Sequence, residues 1–436
     1  MNAGVQRSAS QTIPKIAIVG SGPAGLYLAE KLLKLVEPVE LDVIERLPTP
    51  YGLIRSGVAP DHWTTKNVVR KLEQAFQNPA TRFIGNVELG RDVSLAQLRE
   101  FYDVVVLATG TPLDRPLGLP GDGLPGVTGA ARFCSWYNAH PDFTELDIDL
   151  PKVETAVVIG NGNVALDAAR MLVRTPEELA ATDAPRPVRD VLARTNVRKV
   201  VIAGRRGAAH VKFSPAELRE FSELAQAVPV IDPAELPPEG TEPKRTMEIL
   251  GRLAAIEADP AKPARIEFLF RARPAAVLGE GHVSGMRFVR TRLDGDRAVD
   301  TDEVLEVPAQ LVVTCIGYQG PTLERLEVDG GRFRNDDGLI AEGLYAAGWA
   351  ARGPTGTIAT NKSEAYRSAD RIAAELAPQG RPGRAALLPH LQAAGIDVVD
   401  FDAWRRIDEA EVAAAEHPAP REKFTTTEEL LSAAKS

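Results

Sequence analysis

Cysteine is scarce in this chain, and its scarcity excludes two kinds of chemistry. There are two cysteines in 436 residues, Cys134 and Cys315, and they do not form a C-x-x-C pair. A disulfide scaffold and a redox-active dithiol both require closely paired thiols, so neither is expected. This cysteine usage is typical of a reducing compartment. We predict a cytoplasmic protein, with an organelle matrix as the alternative.

Long hydrophobic runs and an excess of basic charge are also missing. No apolar run reaches the roughly 18 residues that a membrane-spanning helix requires. Residues 1–14 lack the apolar segment of a secretory signal, which predicts a frayed terminus, with a shortened transit peptide as the alternative. The net charge is -9. Nucleic acid is therefore not an expected partner, because it requires a basic surface. No metal site is predicted.

A unit of strand, glycine-rich turn, helix and strand occurs twice in the chain. The length of 436 residues is too great for one core and predicts two or three domains. One unit begins with a strand at 15–20, and the other with a strand at 155–160. This βαβ order is typical of nucleotide-binding folds. We predict an α/β protein with two Rossmann-like dinucleotide-binding domains.

The first turn has the pattern G-x-G-x-x-G, with its glycines at Gly20, Gly22 and Gly25. In this pattern the glycines allow, in order, a tight turn, close approach of a pyrophosphate, and helix–strand packing. The following helix presents free N–H groups to the phosphates. Glu45 ends the next strand, where a carboxylate can accept hydrogen bonds from ribose hydroxyls. These residues predict a dinucleotide site; the alternative is a turn without ligand and a solvated Glu45.

The second turn, at 160–165, reads G-N-G-N-V-A, with alanine as the third small residue. Its partner strand ends in Arg205 and Arg206 rather than in an acid. Adjacent guanidinium groups bind a 2′-phosphate, which an acid would repel. The pair predicts NADP rather than NAD; a solvated arginine pair is the alternative.

Two dinucleotide sites in one chain are typical of flavoprotein reductases. Beyond this general class, the sequence resembles the adrenodoxin-reductase-like ferredoxin–NADP⁺ reductases over nearly its whole length. The segments that carry the resemblance are 20–25, 51–62, 160–170, 204–207, 217–220 and 348–358.

The resemblance, together with the glycine motifs, implies a set of cofactor contacts. Those to FAD are Gly20, Gly22, Ala24, Gly25, Glu45, Leu53, Val87, Trp349, Gly356, Thr357 and Ile358. Those to NADP are Arg115, Asn161, Gly162, Asn163, Val164, Arg205, Arg206, Glu217 and Gly356, the last touching both cofactors. Trp349 either packs against the flavin or belongs to an ordinary core. It stands where disulfide-reductase relatives have an acid, which argues against a disulfide reductase.

The resemblance also implies a polar pair, His62 and Glu220, close to the nicotinamide. Hydride transfer needs no acid or base, but flavin reduction and reoxidation move a proton, so a relay or orienting role is predicted, with Asp167 as a further member. The alternatives are a loop histidine and a solvent-facing glutamate. The sequence departs from the family after residue 207, where His210 and Lys212 replace a more apolar stretch. These two either add phosphate contacts or are simply exposed.

Segment 348–358 returns the chain to the flavin, which predicts a discontinuous FAD domain at 1–111 and 335–436. The NADP domain, 112–334, is inserted into it. Residues 378–389, rich in Pro and Gly, are predicted to be a linker. The predicted function is hydride transfer from NADPH to FAD, then single-electron transfer to a ferredoxin- or adrenodoxin-type iron–sulfur protein, with cytochrome P450 supply as one use. The alternatives are an NADPH-dependent flavin reductase of another branch and a non-enzymatic redox sensor that binds FAD and NADP.

An acidic ferredoxin requires a basic docking face on its reductase. Segment 265–297 is the candidate, and two of its arginines, Arg290 and Arg292, are predicted to share one strand face. The alternative is that these strand charges only face solvent and bind no partner. The arginines considered are Arg271, Arg273, Arg287, Arg290, Arg292 and Arg297, set against Glu267, Glu280, Asp294 and Asp296.

Overall fold

The structure is a computed structural model that describes residues 12–295, 297–323, 326–356 and 358–436. Thr357, a predicted FAD contact, lies outside the described residues, as do Asp296 of the candidate docking segment and most of the predicted frayed terminus. Within the described ranges, no helix is both long and apolar enough to cross a membrane.

The first part of the chain alternates strands and helices, and its strands consist mainly of apolar residues that are buried. The strands are β1 (Lys15–Val19), β2 (Glu40–Ile44), β3 (Thr81–Ile84) and β4 (Val104–Leu107). The helices are α1 (Pro23–Leu35), α2 (Leu53–Ser56), α3 (Trp63–Lys66), α4 (Val69–Leu72) and α5 (Leu95–Phe101), with a 3₁₀ helix at Glu73–Gln77. Continuous apolar strands of this kind are typical of parallel sheets that are covered on both faces.

The middle part holds most of the remaining strands. These are β5 (Leu113–Asp114), β6 (Val127–Gly129), β7 (Thr155–Ile159), β8 (Lys199–Ala203), β9 (Ala227–Val230), β10 (Ala264–Leu269), β11 (Ala272–Leu278), β12 (Gly285–Asp294), β13 (Arg297–Pro308), β14 (Leu311–Thr314), β15 (Tyr318–Gln319), β16 (Val328–Asp329) and β17 (Arg332–Phe333). The helices are α6 (Ala130–Tyr137), α7 (Asn163–Met171), α8 (Pro176–Ala180), α9 (Arg186–Leu192), α10 (Pro215–Arg219) and α11 (Lys244–Ala254). Short 3₁₀ helices occur at Leu150–Lys152, Ala208–His210, Glu220–Ser222 and Pro233–Glu235.

The last part of the chain contains two strands and five helices. They are β18 (Leu339–Ala341), β19 (Leu344–Ala346), α12 (Trp349–Arg352), α13 (Ile358–Glu375), α14 (Arg384–Ala393), α15 (Phe401–Ala413) and α16 (Thr427–Lys435). The predicted linker at 378–389 is wrong in its second half, because α14 begins there and contains Pro389. Burial of Leu387 and Leu391 on this helix offsets the local cost of the proline.

The first sheet draws strands from both ends of the chain. Its order is β18-β19-β4-β1-β2-β3, and it is parallel except for the β18–β19 pair. Ile18 of β1 lies opposite Val43 on one side and Val106 on the other. The first and last parts of the chain therefore form one folding unit, with the middle part inserted between them.

The second sheet is made wholly by the middle part. Its order is β6-β14-β7-β8-β10-β9, and every pair in it is parallel. The antiparallel sheet β11-β12-β13 packs on one face through Met286 and Phe288, which share a buried cluster with Val157 and Val201. The predicted α/β architecture with two nucleotide-binding units, one inserted into the other, is confirmed.

A short antiparallel ribbon of β5 and β15 joins the two units, with Tyr318 opposite Asp114. The small β16–β17 hairpin that follows belongs with the first unit, because Phe333 packs in the cluster that contains Val19 and Ile44. The parallel strands of each sheet end near a glycine turn, which is where the fold places a ligand.

Candidate active site

The first glycine turn lies between β1 and α1, and its three glycines meet different constraints. Gly20 has a φ of +110°, and a Cβ there would collide with the carbonyl oxygen of Ala108. A Cβ on Gly25 would collide with the carbonyl oxygen of Gly20. At Gly22 a Cβ would meet nothing within 4 Å. Two glycines are thus required by packing, while the third borders an open space of the kind that a pyrophosphate fills.

Glu45 already faces this turn. Its Oε2 accepts hydrogen bonds from Ser21 N at 3.0 Å and Ser21 Oγ at 2.7 Å. Its carbonyl oxygen accepts from Val87 N at 2.9 Å. The next loop lies against the turn, since Tyr51 N donates to Ser21 O at 3.1 Å, and Leu53 is 40% exposed. The structure therefore brings the predicted FAD residues of the first part of the chain to one edge of the first sheet.

The described part of segment 348–358, which begins with the short helix α12, joins them from the other end of the chain. A Cβ on Gly348 would collide with Ala24 at the start of α1. Trp349 is half-buried, its Nε1 donates to Thr355 O at 2.9 Å, and its ring stacks on Tyr318 at 5.9 Å. Trp349 therefore braces this segment against the ribbon between the units and is not part of a closed core. Ile358 begins α13, and exposed Gly356 precedes it with a φ of +82°.

The second glycine turn repeats the geometry of the first. Gly160 has a φ of +146°, and a Cβ there would collide with the carbonyl oxygen of Cys315. Gly162 borders open space, as Gly22 does. The side chain of Asn161 fills the position of a Cβ on Gly204, and Asn163 Oδ1 accepts from Ser214 N at 2.7 Å. Asn161, Gly162, Asn163 and Val164 are all only partly buried.

The predicted phosphate-binding arginines follow β8 directly, with Arg205 exposed. Among the described residues, no carboxylate lies within 4.0 Å of the guanidinium group of Arg205 or Arg206. Arg115 lies elsewhere, on the ribbon between the units, where its N–H donates to Gly317 O at 3.3 Å. The structure thus groups Arg205 and Arg206 with the second turn and places Arg115 at the connection.

The predicted catalytic residues converge from distant parts of the sequence. His62 precedes α3, Asp167 lies in α7, and Glu217 and Glu220 lie in and after α10. His62 Nε2 lies 3.2 Å from Glu220 Oε1 and 3.2 Å from Glu217 Oε2. His62 Nδ1 lies 3.9 Å from Asp167 Oδ1. Because His62 Nε2 also lies 3.9 Å from Asp61 Oδ1, the histidine faces four carboxylates.

The sequence analysis missed Asp61, Arg174 and, at the centre of the cluster, Arg170. Its side chain is 0% exposed; it contacts Glu220 and Asp167 and donates to Asp61 Oδ2 at 3.0 Å. Its Nη2 lies 2.9 Å from His62 Nε2. The one available signal was the i, i+3 spacing of Asp167 and Arg170 on a helix. A buried guanidinium group thus supplies the positive charge that balances the carboxylates.

The cluster moves two carboxyl pKa values in opposite directions. Burial raises the pKa of Asp61, but Arg170, Arg174 and His62 outweigh it and bring the pKa to about 2. Burial also raises the pKa of Asp167. Arg170 and His62 lower it by less than burial raises it, so the pKa stays raised, at about 6. Asp61 is therefore an anion throughout the physiological pH range, while Asp167 changes its charge near pH 6.

The site as a whole fits dinucleotide cofactors better than a metal ion. Buried Thr109 Oγ1 near the first turn and Asn161 Oδ1 at the second have no hydrogen-bond partner among the described residues, as expected where a polar ligand completes the site. His62 with Asp61 and Glu220 has three ligand atoms within metal-binding distance of one another. Arg170, however, already places its cation among these carboxylates.

The candidate docking segment, 265–297, differs from the prediction in its strand register and in the pairing of its arginines. The register of β12 and β13 shifts between Val289 and Thr291, which interrupts the strand alternation between Arg290 and Arg292. Five of its arginines pair with acids: Arg265 with Glu267 at 2.9 Å, Arg271 with Glu235 at 2.9 Å, Arg273 with Asp300 at 2.6 Å, Arg287 with Glu306 at 2.8 Å and Arg290 with Glu235 at 3.2 Å. Much of the positive charge of this segment is therefore neutralised locally.

Comparisons with known proteins agree with this geometry. Residues 14–203 match the pyridine nucleotide-disulphide oxidoreductase family. The mitochondrial NADPH:adrenodoxin oxidoreductase of Arabidopsis thaliana is 38% identical, over 98% of this chain and 96% of the relative. The human protein of the same name is 39% identical, over 97% and 92%. NADPH-ferredoxin reductase FprA of Mycobacterium tuberculosis is 39% identical, over 95% and 98%. The structure of FprA in complex with NADPH matches with a TM-score of 0.92, covering 97% of this chain and 100% of that one.

The fold and the two turns define a flavoprotein oxidoreductase with two nucleotide-binding units. Within that class, the chain belongs to the family of NADPH:adrenodoxin oxidoreductases and NADPH-ferredoxin reductases. The predicted family, enzyme class and cofactors, FAD and NADP(H), are confirmed. The roles of individual site residues stay predictions.

Proposed function

We propose that this chain is a ferredoxin–NADP⁺ reductase, which moves electrons from NADPH through FAD to a ferredoxin- or adrenodoxin-type iron–sulfur protein. When bound, the flavin accepts a hydride and releases electrons one at a time. The observation that carries the proposal is the asymmetry of the two turns: Glu45 faces the first, while Arg205 and Arg206 follow the strand beside the second and have no acidic partner among the described residues.

The proposed FAD domain comprises residues 1–111 and 335–436, and the proposed NADP domain comprises 112–334. The origin of the strands in the two sheets supports this division. The packing of Phe333 in the first unit favours moving the second boundary toward residue 320. FAD is then held at the first turn, Glu45 and segment 348–358, and NADP(H) at the second turn, Arg205 and Arg206.

We assign the polar cluster to proton handling and orientation beside the nicotinamide. His62 and Glu220 lie in contact, so a proton can pass between His62 Nε2 and a Glu220 carboxylate oxygen. Burial raises the pKa of Asp167 to about 6, so this carboxyl group gains a proton as the pH falls towards 6 and is mainly ionised at physiological pH. Arg170, whose side chain is fully buried, pairs with Asp61, Asp167, Glu217 and Glu220 and so holds these carboxylates together.

For the electron acceptor, we propose an acidic iron–sulfur protein that docks on a basic face. Within segment 265–297, Arg292 and Arg297 are exposed and have no acidic partner among the described residues, so they are its remaining candidates. Ferredoxin-dependent cytochrome reduction should slow as salt rises, because screening weakens charge attraction. Indifference to salt would count against docking by charge.

For the location of the protein, we propose the cytoplasm, which the low cysteine content supports.

The proposal is tested by comparing NADPH and NADH as donors, with a ferredoxin and cytochrome c as acceptors. Arg205→Ala and Arg206→Ala should each lower the preference for NADPH, while Arg82→Ala, which removes an exposed arginine from β3, should not. Unchanged preference in both variants would refute the assignment of the second site. Failure of NADPH to bleach the bound flavin would instead favour a nucleotide-binding sensor, and ferredoxin-independent turnover a flavin reductase of another branch.

A further inference from the structure

Lys212 lies directly across from the second glycine turn. Its N–H donates to Asn161 O at 2.7 Å, and it forms a parallel β-bridge with Gly162. Two residues later, Ser214 N donates to Asn163 Oδ1 at 2.7 Å. These contacts on either side hold the backbone of Lys212 in a fixed position against the turn.

The β-bridge also determines the direction of the side chain. Residues in register in a parallel pair carry their side chains on the same face. Gly162 has no side chain, and a Cβ built there would meet nothing within 4 Å. Lys212 is exposed, so its side chain rises beside the open space over Gly162.

Three cations border this space without a carboxylate partner among the described residues. In the described part of the chain, no carboxylate lies within 4.0 Å of the ammonium group of Lys212, and the same holds for the guanidinium groups of Arg205 and Arg206. By contrast, Arg273 and Arg287 of the neighbouring three-stranded sheet are paired with acids. Three unpaired cations beside an open glycine turn, in a chain of net charge -9, form a local site for anions.

We propose that Lys212 contacts the pyrophosphate of the bound nicotinamide dinucleotide, while Arg205 and Arg206 contact the 2′-phosphate. The assignment rests on the proposed placement of NADP(H) at the second turn. In this fold the pyrophosphate lies over the second glycine of the turn, and the 2′-phosphate lies at the end of the neighbouring strand. Lys212 faces the first position, and the two arginines follow the strand that defines the second. Lys212 thus adds affinity without discriminating between NADP and NAD, which share the pyrophosphate.

The test measures the Kd of NADPH and of NADH for the flavin-loaded enzyme after Lys212→Ala. Both Kd values should rise by the same factor, roughly 5- to 10-fold for loss of one exposed charge-assisted contact, and both should depend less on salt. The ratio of the two Kd values and the limiting rate of flavin reduction should stay constant. Lys212→Arg should retain most of the affinity. Lys152→Ala, at an exposed lysine paired with Asp149, is the control.

The possible results separate a failure of the Lys212 contact from a failure of the proposed function. Unchanged Kd values after Lys212→Ala would overturn the contact, and the proposed function would stand if Arg205→Ala still lowered the preference for NADPH. A change in the NADPH-to-NADH ratio after Lys212→Ala would place the lysine on the 2′-phosphate and also overturn the assignment. If neither Lys212→Ala nor the arginine variants altered nucleotide binding, the second turn itself would not be the NADP(H) site.

Discussion

Replacing Asp61 by asparagine removes the anion that ties the two arginines of the polar cluster together. Asp61 Oδ2 accepts hydrogen bonds from Arg170 at 3.0 Å and from Arg174 at 2.6 Å. Asparagine preserves the shape but leaves one buried guanidinium group, that of Arg170, and one partly buried group, that of Arg174, with less compensating charge. We therefore expect Asp61→Asn to lower the free energy of unfolding.

The pKa of Asp61 sets the size and the pH range of this effect. The ionised form is favoured because the neighbouring cations overcome burial and lower the pKa from 3.8 to about 2. At roughly 1.4 kcal/mol per pH unit, this difference contributes about 2.5 kcal/mol to the free energy of unfolding. Because the pKa is lower in the folded state, the contribution is complete above the unfolded-state pKa, about 4. It disappears as the pH falls towards about 2.

Urea unfolding of the flavin-loaded protein, followed from neutral pH down to about pH 3, measures this difference. Asp61→Asn should cost about 2.5 kcal/mol at neutral pH, and the gap to the unaltered protein should narrow only below about pH 4. Asp300→Asn, which removes an exposed carboxylate paired with Arg273, should have little effect. A gap that is independent of pH, or equal losses in the two variants, would refute the electrostatic account.

Three further substitutions test other parts of the structure. Asp167→Asn should remove a step near pH 6 from the pH profile of flavin reduction by NADPH, in stopped-flow experiments, because burial raises the pKa of Asp167 to about 6. Asp183→Asn should lower the free energy of unfolding by roughly 3–5 kcal/mol, because its carboxylate pairs with buried Lys66 at 2.6 Å and buried Lys423 at 3.0 Å. Gly160→Ala should abolish NADPH binding while FAD content is retained, because its φ is +146° and the added Cβ would collide with a backbone carbonyl.

Each of these has a matched control and an outcome that contradicts it. Glu223→Gln and Asp190→Asn alter exposed acids and should reproduce neither the lost pH step nor the lost stability. Gly251→Ala adds a methyl group where a Cβ meets nothing within 4 Å and should leave nucleotide binding intact. A pH step that persists without Asp167, full stability without Asp183, or normal NADPH binding by Gly160→Ala would each count against the corresponding contact.

The predictions that succeeded depend on constraints within short stretches of chain. The pattern at 20–25 requires glycine at Gly20 and Gly25 because backbone atoms close by leave no room for a Cβ. Glu45 was predicted at the edge of the first turn because parallel neighbouring strands end together. The linker prediction failed at α14, where burial of apolar residues, which local composition does not report, overrides proline.

The sequence by itself determined the two nucleotide-binding units, their order in the chain and the charge at each strand end, because these follow from spacing within single βαβ segments. The tertiary structure alone decided how the polar cluster is held. Arg170 balances Asp61 and Glu220, which lie far apart in sequence and meet only when the two units pack together. It also decided which cations stay free: Arg273 and Arg287 pair with acids on β13, whereas Lys212 has no carboxylate within 4.0 Å among the described residues. Pairing of charges between distant segments depends on distances in space, and sequence spacing does not specify those distances.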